Sequence, residues 1–340
     1  VSVLTLDDAL AAPAQHRVLT GDRPTGALHL GHYLGTLRSR VLLQDAGVRT
    51  FLVIADHQVV TDRDTTAGIA DNVHEVLLDY LAVGLDGPRT TIFTHSAVAA
   101  IGQLMLPFLS LVTDAELRRN PTVKAELAAT AGRPMSALLL TYPVHQAADI
   151  LFAHATLVPV GRDQLPHLEL TRTVARRFTR RYGALFDEPA ALLSDAPTVL
   201  GTDGTKMSKT RGNVVALRDD EDTTAAVIRS AVTDGERHIT YEPERRPEVA
   251  NLLLIAALLL DRAPEVVADE IGAGGAGRLK AVVTEAVNEH LRPVRARRRA
   301  FAADPAHVAG VLADGNAVAA GVADATLEQV RAAMGMAYGV

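Results

Sequence analysis

Two short segments carry residue types suited to handling phosphate. The first, Thr20-Gly21-Asp22-Arg23-Pro24-Thr25-Gly26-Ala27-Leu28-His29-Leu30-Gly31-His32, leads from a short apolar strand into a helix. His29 and His32, three apart, share one helix face. Two imidazoles there can donate hydrogen bonds to a phosphate whose charge grows in a transition state. Gly31 between them has no side chain and lets a flat ring approach the backbone. Unpaired N–H groups and the positive dipole end of the helix attract the same anion. Two surface histidines would show the same spacing, and so would part of a zinc site, but no third ligand lies close by in sequence. The position directly after a strand and a Gly/Pro-rich turn favours phosphate.

The second segment is Gly201-Thr202-Asp203-Gly204-Thr205-Lys206-Met207-Ser208-Lys209-Thr210, a loop with two lysines three apart. It is not a P-loop, because Met207 follows Lys206 where Ser or Thr is required. Such a loop can close two ammonium groups over a leaving pyrophosphate. Alone it would read as a solvated charged loop. Together and in this order, the two segments resemble the paired signatures of class I aminoacyl-tRNA synthetases.

The elements that must position them follow from periodicity. Val18-Leu19-Thr20 reads as a strand and residues 27–46 as a helix. Phe51–Ala55 is a continuous apolar run, as in a strand buried on both faces. A helix over Thr65–Val83 places Ile69, Val73, Val76, Leu77 and Tyr80 on one face, and Thr90–Thr94 is the next strand. This alternation predicts a parallel sheet with right-handed crossovers. Ala99–Ala153 reads as mainly helical, with breaks near Asn120-Pro121 and Tyr142-Pro143. A further strand, Thr156–Val160, meets the turn Gly161-Arg162-Asp163 and a helix over Gln164–Tyr182. From about Asp219 onward only helical patterns occur. The expected fold is therefore α/β, a Rossmann-type doubly wound parallel sheet followed by an all-helical C-terminal domain. Residues 1–200 would form the catalytic domain with a helical insertion. Residues 201–340 would hold the lysine loop and the helical domain, with the last helix able to pack back on the first. Gly272–Gly277 matches GxGxxG but follows a helical pattern, so it reads as a helix–helix connection.

Composition narrows the classes. The chain has 340 residues and no cysteine, which excludes disulfides, thiolate zinc sites and cysteine nucleophiles. A formal net charge of −6 argues against coating long nucleic acid, whereas a localised basic patch can still guide an RNA to one surface. Arg172, Arg176, Arg177, Arg180 and Arg181 form one basic cluster. Arg292, Arg295, Arg297, Arg298 and Arg299 form a second, expected to meet RNA phosphates. No apolar run is read as a membrane span and no signal peptide is expected from Val1–Gln15, while the absence of cysteine fits a reducing, cytoplasmic setting. Tryptophan is absent altogether.

Longer segments resemble the tryptophanyl-tRNA synthetase family in particular. They are Thr20–Leu37, Leu140–Leu151, Leu157–Arg172, Gly201–Asn213 and Ala231–Leu254, the last outside the motifs shared by all class I enzymes. The resemblance implies ATP-dependent activation of L-tryptophan and its transfer to tRNA(Trp). It also implies Mg2+ with no protein side-chain ligand, a helical domain that reads the anticodon, and a homodimer. Catalytic roles would fall to His29, His32, Lys206 and Lys209. Arg23, Pro24, Thr25, Gly31, Gly161, Arg162, Asp163, Met207 and Ser208 would join them around ATP. Asp149 would accept the indole N–H, while Tyr142 and Gln164 hold the amino group. A carboxylate facing a buried N–H discriminates well, because phenylalanine offers no donor. Arg23, Gln58 and Gln146 depart from the common bacterial pattern of glutamine, histidine and methionine. These departures resemble a divergent second bacterial type, some members of which resist the analogue indolmycin. Gln58 and Gln146 would then line an unusual indole pocket.

Overall fold

The computed structural model describes residues 2–61, 66–129, 136–161, 164–193, 199–208 and 211–338, with backbone alone at 126–129. Its centre is a parallel sheet of β1 (Val3–Leu4), β2 (Arg17–Asp22), β3 (Arg49–Ile54), β4 (Thr90–Thr94), β5 (Leu157–Val160) and β6 (Ala190–Leu193). The strand order is β1-β6-β5-β2-β3-β4. In register, Leu19 sits beside Phe51 and Phe51 beside Thr91. The order runs outward from β2 through β3 to β4, and in the other direction through β5 to β6. The reversal between β2 and β5 opens a crevice at their carboxyl ends, where open α/β sheets bind ligands.

Helices cover both faces. They are α1 (Leu6–Ala11), α2 (Leu30–His32), α3 (Arg38–Asp45), α4 (Ile69–Val83), α5 (Ala99–Leu109), α6 (Asp114–Arg119) and α7 (Pro121–Ala129), then α8 (Ala137–Phe152) and α9 (Leu165–Tyr182). A π-turn at Tyr33–Leu37 joins α2 to α3. β3 shows why its sequence is apolar throughout: Phe51 and Val53 enter a core with α5, α8 and α9, while Leu52 and Ile54 enter the core on the opposite face. The remaining chain forms α10 (Glu221–Arg229), α11 (Pro247–Leu260), α12 (Pro264–Ile271), α13 (Gly275–Ala302) and α14 (Pro305–Ala333).

α13 packs on α4, and α14 returns to lie along β4 and α5. The return is close: a Cβ on Gly315 would fall 1.8 Å from the Ile92 carbonyl oxygen, so only glycine fits. Thr94 N–H donates to Asn316 Oδ1 at 2.9 Å beside it. By length and composition α14 is apolar enough to cross a bilayer, which the sequence reading did not register. In the fold its buried residues, from Val308 through Gly315, Ala319 and Ala323 to Val330, recur every three or four positions as one stripe.

The structure corrects several expectations. The helix expected over residues 27–46 starts at Leu30, because His29 is extended as its N-cap, and α1 was not anticipated. The expected helix from Thr65 starts at Ile69, and Thr65 lies outside the described residues. The break at Asn120 is present, but α8 runs unbroken through Pro143. A mid-helix proline costs roughly 3 kcal/mol. Burial of the run Tyr142–His145 opposes that cost here. β1 and β6 were not anticipated; two and four residues are too short to display a period. Gly272–Gly274 is a short turn between α12 and α13, as expected of a connection.

One ion pair fixes the end of β2. Asp22 accepts hydrogen bonds from Arg40 on α3 and, at 2.7 Å, from the Tyr80 hydroxyl on α4. The Arg40 side chain is only 3% exposed and that of Asp22 15%. Burial alone would raise the Asp22 pKa, but the Arg40 charge and hydrogen bond, with His32 and Tyr80, outweigh it and hold the carboxyl at about 2. Because the folded value lies below the ordinary 3.8, this contribution is full above about pH 4 and fades as pH falls through 2. It is worth about 2 kcal/mol. Asp22→Asn leaves a buried guanidinium unpaired and should cost about 3–5 kcal/mol in urea unfolding. The variant should also lose the part of the acid destabilisation between pH 4 and 2 that Asp22 carries; an unchanged acid profile would contradict this assignment.

Candidate active site

The first histidine segment is held from both sides. Leu28 N–H donates to Asp79 Oδ2 at 2.8 Å, and Leu30 N–H to the Val215 carbonyl at 2.9 Å. Leu217 N–H returns a bond to the Leu28 carbonyl at 3.0 Å, so residues 28–30 pair antiparallel with the stretch just beyond the lysine loop. His29 N–H donates to His32 Nδ1 at 3.2 Å, and the two rings lie 3.8 Å apart. Gly31 faces the lysine loop itself: a Cβ there would meet Met207 Sδ at 3.0 Å and the His29 ring at 3.1 Å. The fold thus brings the two sequence motifs into contact. Arg23, Pro24 and Thr25 line the turn between β2 and this segment, with Thr25 N–H donating to the Arg23 carbonyl at 2.8 Å.

Asn213 organises the lysine loop. Its Oδ1 accepts from Ser208 N–H at 2.7 Å, while its Nδ2 donates to Asp203 Oδ1 at 2.7 Å and to the Lys206 carbonyl at 3.2 Å. Asp203 also accepts from Thr205 N–H at 2.9 Å, and these bonds lower its pKa, the one from Asn213 most. Gly201 is obligatory here, since a Cβ would sit 2.4 Å from Asn213 Nδ2. Asn251 on α11 anchors the loop's start through both directions of hydrogen bonding to Leu200. Lys206 is exposed at the loop surface. Lys209, Arg162 and Asp163 lie outside the described residues.

A second group collects at the same edge. Asp149 on α8 is 2% exposed, and its Oδ1 has no hydrogen-bond partner among the described residues. Its Oδ2 lies 3.1 Å from His95 Nε2, just after β4, and 3.7 Å from His145 Nδ1, one helical turn back. Burial would lower the His95 pKa, but the nearby Asp149 charge raises it overall. At His145 burial prevails over Asp149 and the pKa falls. Tyr142 shares this helix; its hydroxyl is 2.9 Å from His167 Nε2 on α9. Gln164 is the N-cap residue of α9, and its N–H donates to the Gly161 carbonyl at 3.0 Å. Gln58 follows β3, and Gln146 on α8 is half-buried.

Sequence reasoning missed the residues that hold these groups: Asp22, Arg40, Asp79, Asn213, Asn251, His95 and His145. Asp22, His145, Asn213 and Asn251 lie within the family-like segments without a role read for them there, and the others lie outside; spatial contact gives them their roles. The reading of the basic clusters needs correction. Arg295 is 5% exposed and donates to Thr224 and Asn288. Arg298 joins Asp79 and Glu75 at 2.9 and 2.6 Å, and Arg297 bonds the Ala82 carbonyl. Those three tie α13 to its neighbours, while Arg292 and Arg299 are exposed, so only part of the second cluster is engaged within the fold. In the first, Arg172 and Arg176 pair with Glu188, and Arg177 with Glu116.

A family model described as tRNA synthetases class I (W and Y) matches residues 13–292. The chain is 43% identical over 328 residues to a tryptophan–tRNA ligase of Treponema pallidum, covering 94% of this chain and 97% of that one. It is 40% identical over 335 residues to the same-named protein of Streptococcus pyogenes, covering 94% and 98%. Among solved structures, a Campylobacter jejuni tryptophanyl-tRNA synthetase complexed with ADP and tryptophan superposes with a TM-score of 0.82. That pair is 29% identical, with 94% of this chain and 99% of the other covered.

The Asn213 network generates a direct test. Asn213→Ala removes bonds to four loop positions, Asp203, Thr205, Lys206 and Ser208, and should destabilise the fold by about 1–3 kcal/mol. Limited proteolysis should then cut within residues 199–213 faster than in the parent chain; equal cutting would show that the loop is held by something else.

Proposed function

The chain belongs to the class I tRNA synthetases of the tryptophan and tyrosine family, and from this membership we propose how its own residues carry the reaction. It activates L-tryptophan with ATP and transfers the tryptophanyl group to tRNA(Trp). In the first step the tryptophan carboxylate attacks the α-phosphate of ATP and pyrophosphate leaves. In the second, a hydroxyl of the terminal tRNA ribose takes the tryptophanyl group from the adenylate. No side chain need act as a nucleophile, so positioning and electrostatics supply the acceleration.

The observation that carries the site assignment is the contact between Gly31 and Met207, which joins the histidine and lysine segments. His29 and His32 face the phosphates at the crevice between β2 and β5, and Lys206 and Lys209 close over the leaving pyrophosphate. Arg23, Pro24, Thr25, Gly161, Arg162, Asp163 and Ser208 complete the nucleotide site. Asp149 Oδ1, buried and without a partner, accepts the indole N–H. Gln58, Tyr142, Gln146 and Gln164 surround the amino acid. Mg2+ would neutralise phosphate charge. The carboxylate at the β2 end, Asp22, is already bound by Arg40 and Tyr80, so it would offer no free oxygen to an Mg2+ brought in on the nucleotide.

Residues 201–340 supply the lysine loop and a helical domain that meets the anticodon, with α14 returning to the catalytic domain of residues 1–200. We also propose a homodimer, for which Leu106 on α5, 70% exposed, offers apolar surface, and a cytoplasmic location, which the absence of cysteine suits.

Pyrophosphate exchange with tryptophan and, separately, with tyrosine tests the substrate. Exchange should occur with tryptophan alone, and Asp149→Ala should lower kcat/KM for tryptophan by about 10- to 100-fold. Exchange with tyrosine at a comparable rate would overturn the indole assignment. Lys209→Ala should slow adenylate formation by about 100-fold or more while changing tryptophan affinity little. Equal losses in rate and affinity would remove Lys209 from transition-state stabilisation.

A further inference from the structure

Three histidines from three separate elements converge beside Asp149. His57 lies in the turn after β3, His95 in the turn after β4, and His145 on α8. One ligand nitrogen of each comes within 4.8 Å of the other two. The His95 and His145 rings meet edge to face with centroids 4.7 Å apart, and the His57 ring lies 6.1 and 6.2 Å from them.

His95 is 2% exposed, yet neither of its ring nitrogens makes a well-directed hydrogen bond among the described residues. Its Nε2 approaches Asp149 Oδ2 at 3.1 Å, but off the line a hydrogen bond needs. Burying an imidazole in this state is unfavourable unless another group satisfies it. The indole ring does not: its single N–H takes Asp149 Oδ1 and leaves the nitrogens of His95 unserved. A positive ion between the rings would satisfy His95, His145 and His57 together.

We propose that His57, His95 and His145 bind one divalent transition-metal ion of the zinc class, with the Asp149 carboxylate behind His95. The donor set selects the ion. Three imidazoles without a thiolate suit Zn2+, Co2+, Ni2+ or Cu2+, whereas Mg2+ and Ca2+ require oxygen donors. The site is therefore distinct in kind from any Mg2+ arriving on ATP. Three protein ligands leave one position open for water, as in other three-ligand zinc sites. A carboxylate next to a ligating histidine is the usual outer partner of such sites, fixing ring orientation. Zinc–nitrogen bonds of about 2.0–2.1 Å place the nitrogens roughly 3.3 Å apart in a tetrahedron, so the site must contract on binding. His57 is exposed and its ring can turn inward, while the other two are set by the core.

The test uses untagged full-length protein, stripped with a chelator and titrated with Co2+ in the absence of ATP. One equivalent should develop the visible absorption of a tetrahedral site, and Zn2+ should displace it while millimolar Mg2+ should not. His57→Ala, with circular dichroism checking the fold, should weaken binding by more than about 100-fold, beyond the cost of losing an outer partner. His74→Ala, at an exposed position on α4, should leave binding unchanged. The proposal fails if no ion binds near one equivalent. It fails equally if His57→Ala binds as the parent does, or if His74→Ala weakens binding as much as His57→Ala.

Discussion

The carboxylate of Asp22 occupies the last position of β2, where the chain must leave the sheet and turn into the segment that carries His29 and His32. Arg40 on α3 and Tyr80 on α4 both reach it, so one side chain pins the strand end to two helices. Removing a guanidinium from water is costly, and the fold accepts that cost at 3% exposure because the pair sets three elements at once. The position of His29 and His32 follows from it. Were β2 to end differently against α3 and α4, the helix start would shift and with it both imidazoles.

A second buried carboxylate extends the same scheme across the chain. Asp79 adjoins Tyr80 in sequence, and it receives the Leu28 N–H on one oxygen and the Arg298 guanidinium on the other. Burial raises its pKa, against the pull of Arg298 and Leu28, which makes those two partners necessary to it. Through Arg298, α13 is bound to the segment that carries His29. Arg246, 2% exposed in its side chain, does comparable work further on by gripping Asp234 and the His238 carbonyl, which closes the stretch after α10. Arg298 thus ties the helical half of the molecule to the segment beyond β2, while Arg246 closes the helical half on itself.

What was legible in the sequence was whatever has a local cause. Phe51–Ala55 reads as a buried strand because both faces are covered, and the face of α4 reads from its period. The two motifs were visible because their roles require fixed residue types at short spacing. Asp149 came from resemblance, since a carboxylate on an apolar helix carries no signal of the N–H it awaits. The arginines near residue 295 misled for a physical reason: charge density in sequence does not tell whether a guanidinium faces water or a buried carboxylate. Asn213 and His95 were invisible in the same way, being defined by partners tens of residues distant. Lys209, Arg162 and Asp163 lie outside the described residues and stand on the sequence alone.

The indole pocket shows how far this dependence reaches. Selecting tryptophan by a single N–H needs a carboxylate oxygen that is buried, unshared and fixed, because a mobile one would accept water or turn to another donor. Asp149 Oδ1 meets the first two conditions, being buried and without a hydrogen-bond partner among the described residues. The third depends on the opposite oxygen, which His95 and His145 border at 3.1 and 3.7 Å. A histidine that is itself unsatisfied is a weak restraint, and one whose ring is fixed by a further contact is a firm one. The precision of the proposed indole pocket would therefore rest on what completes the histidine cluster as well as on the residues proposed to face the indole.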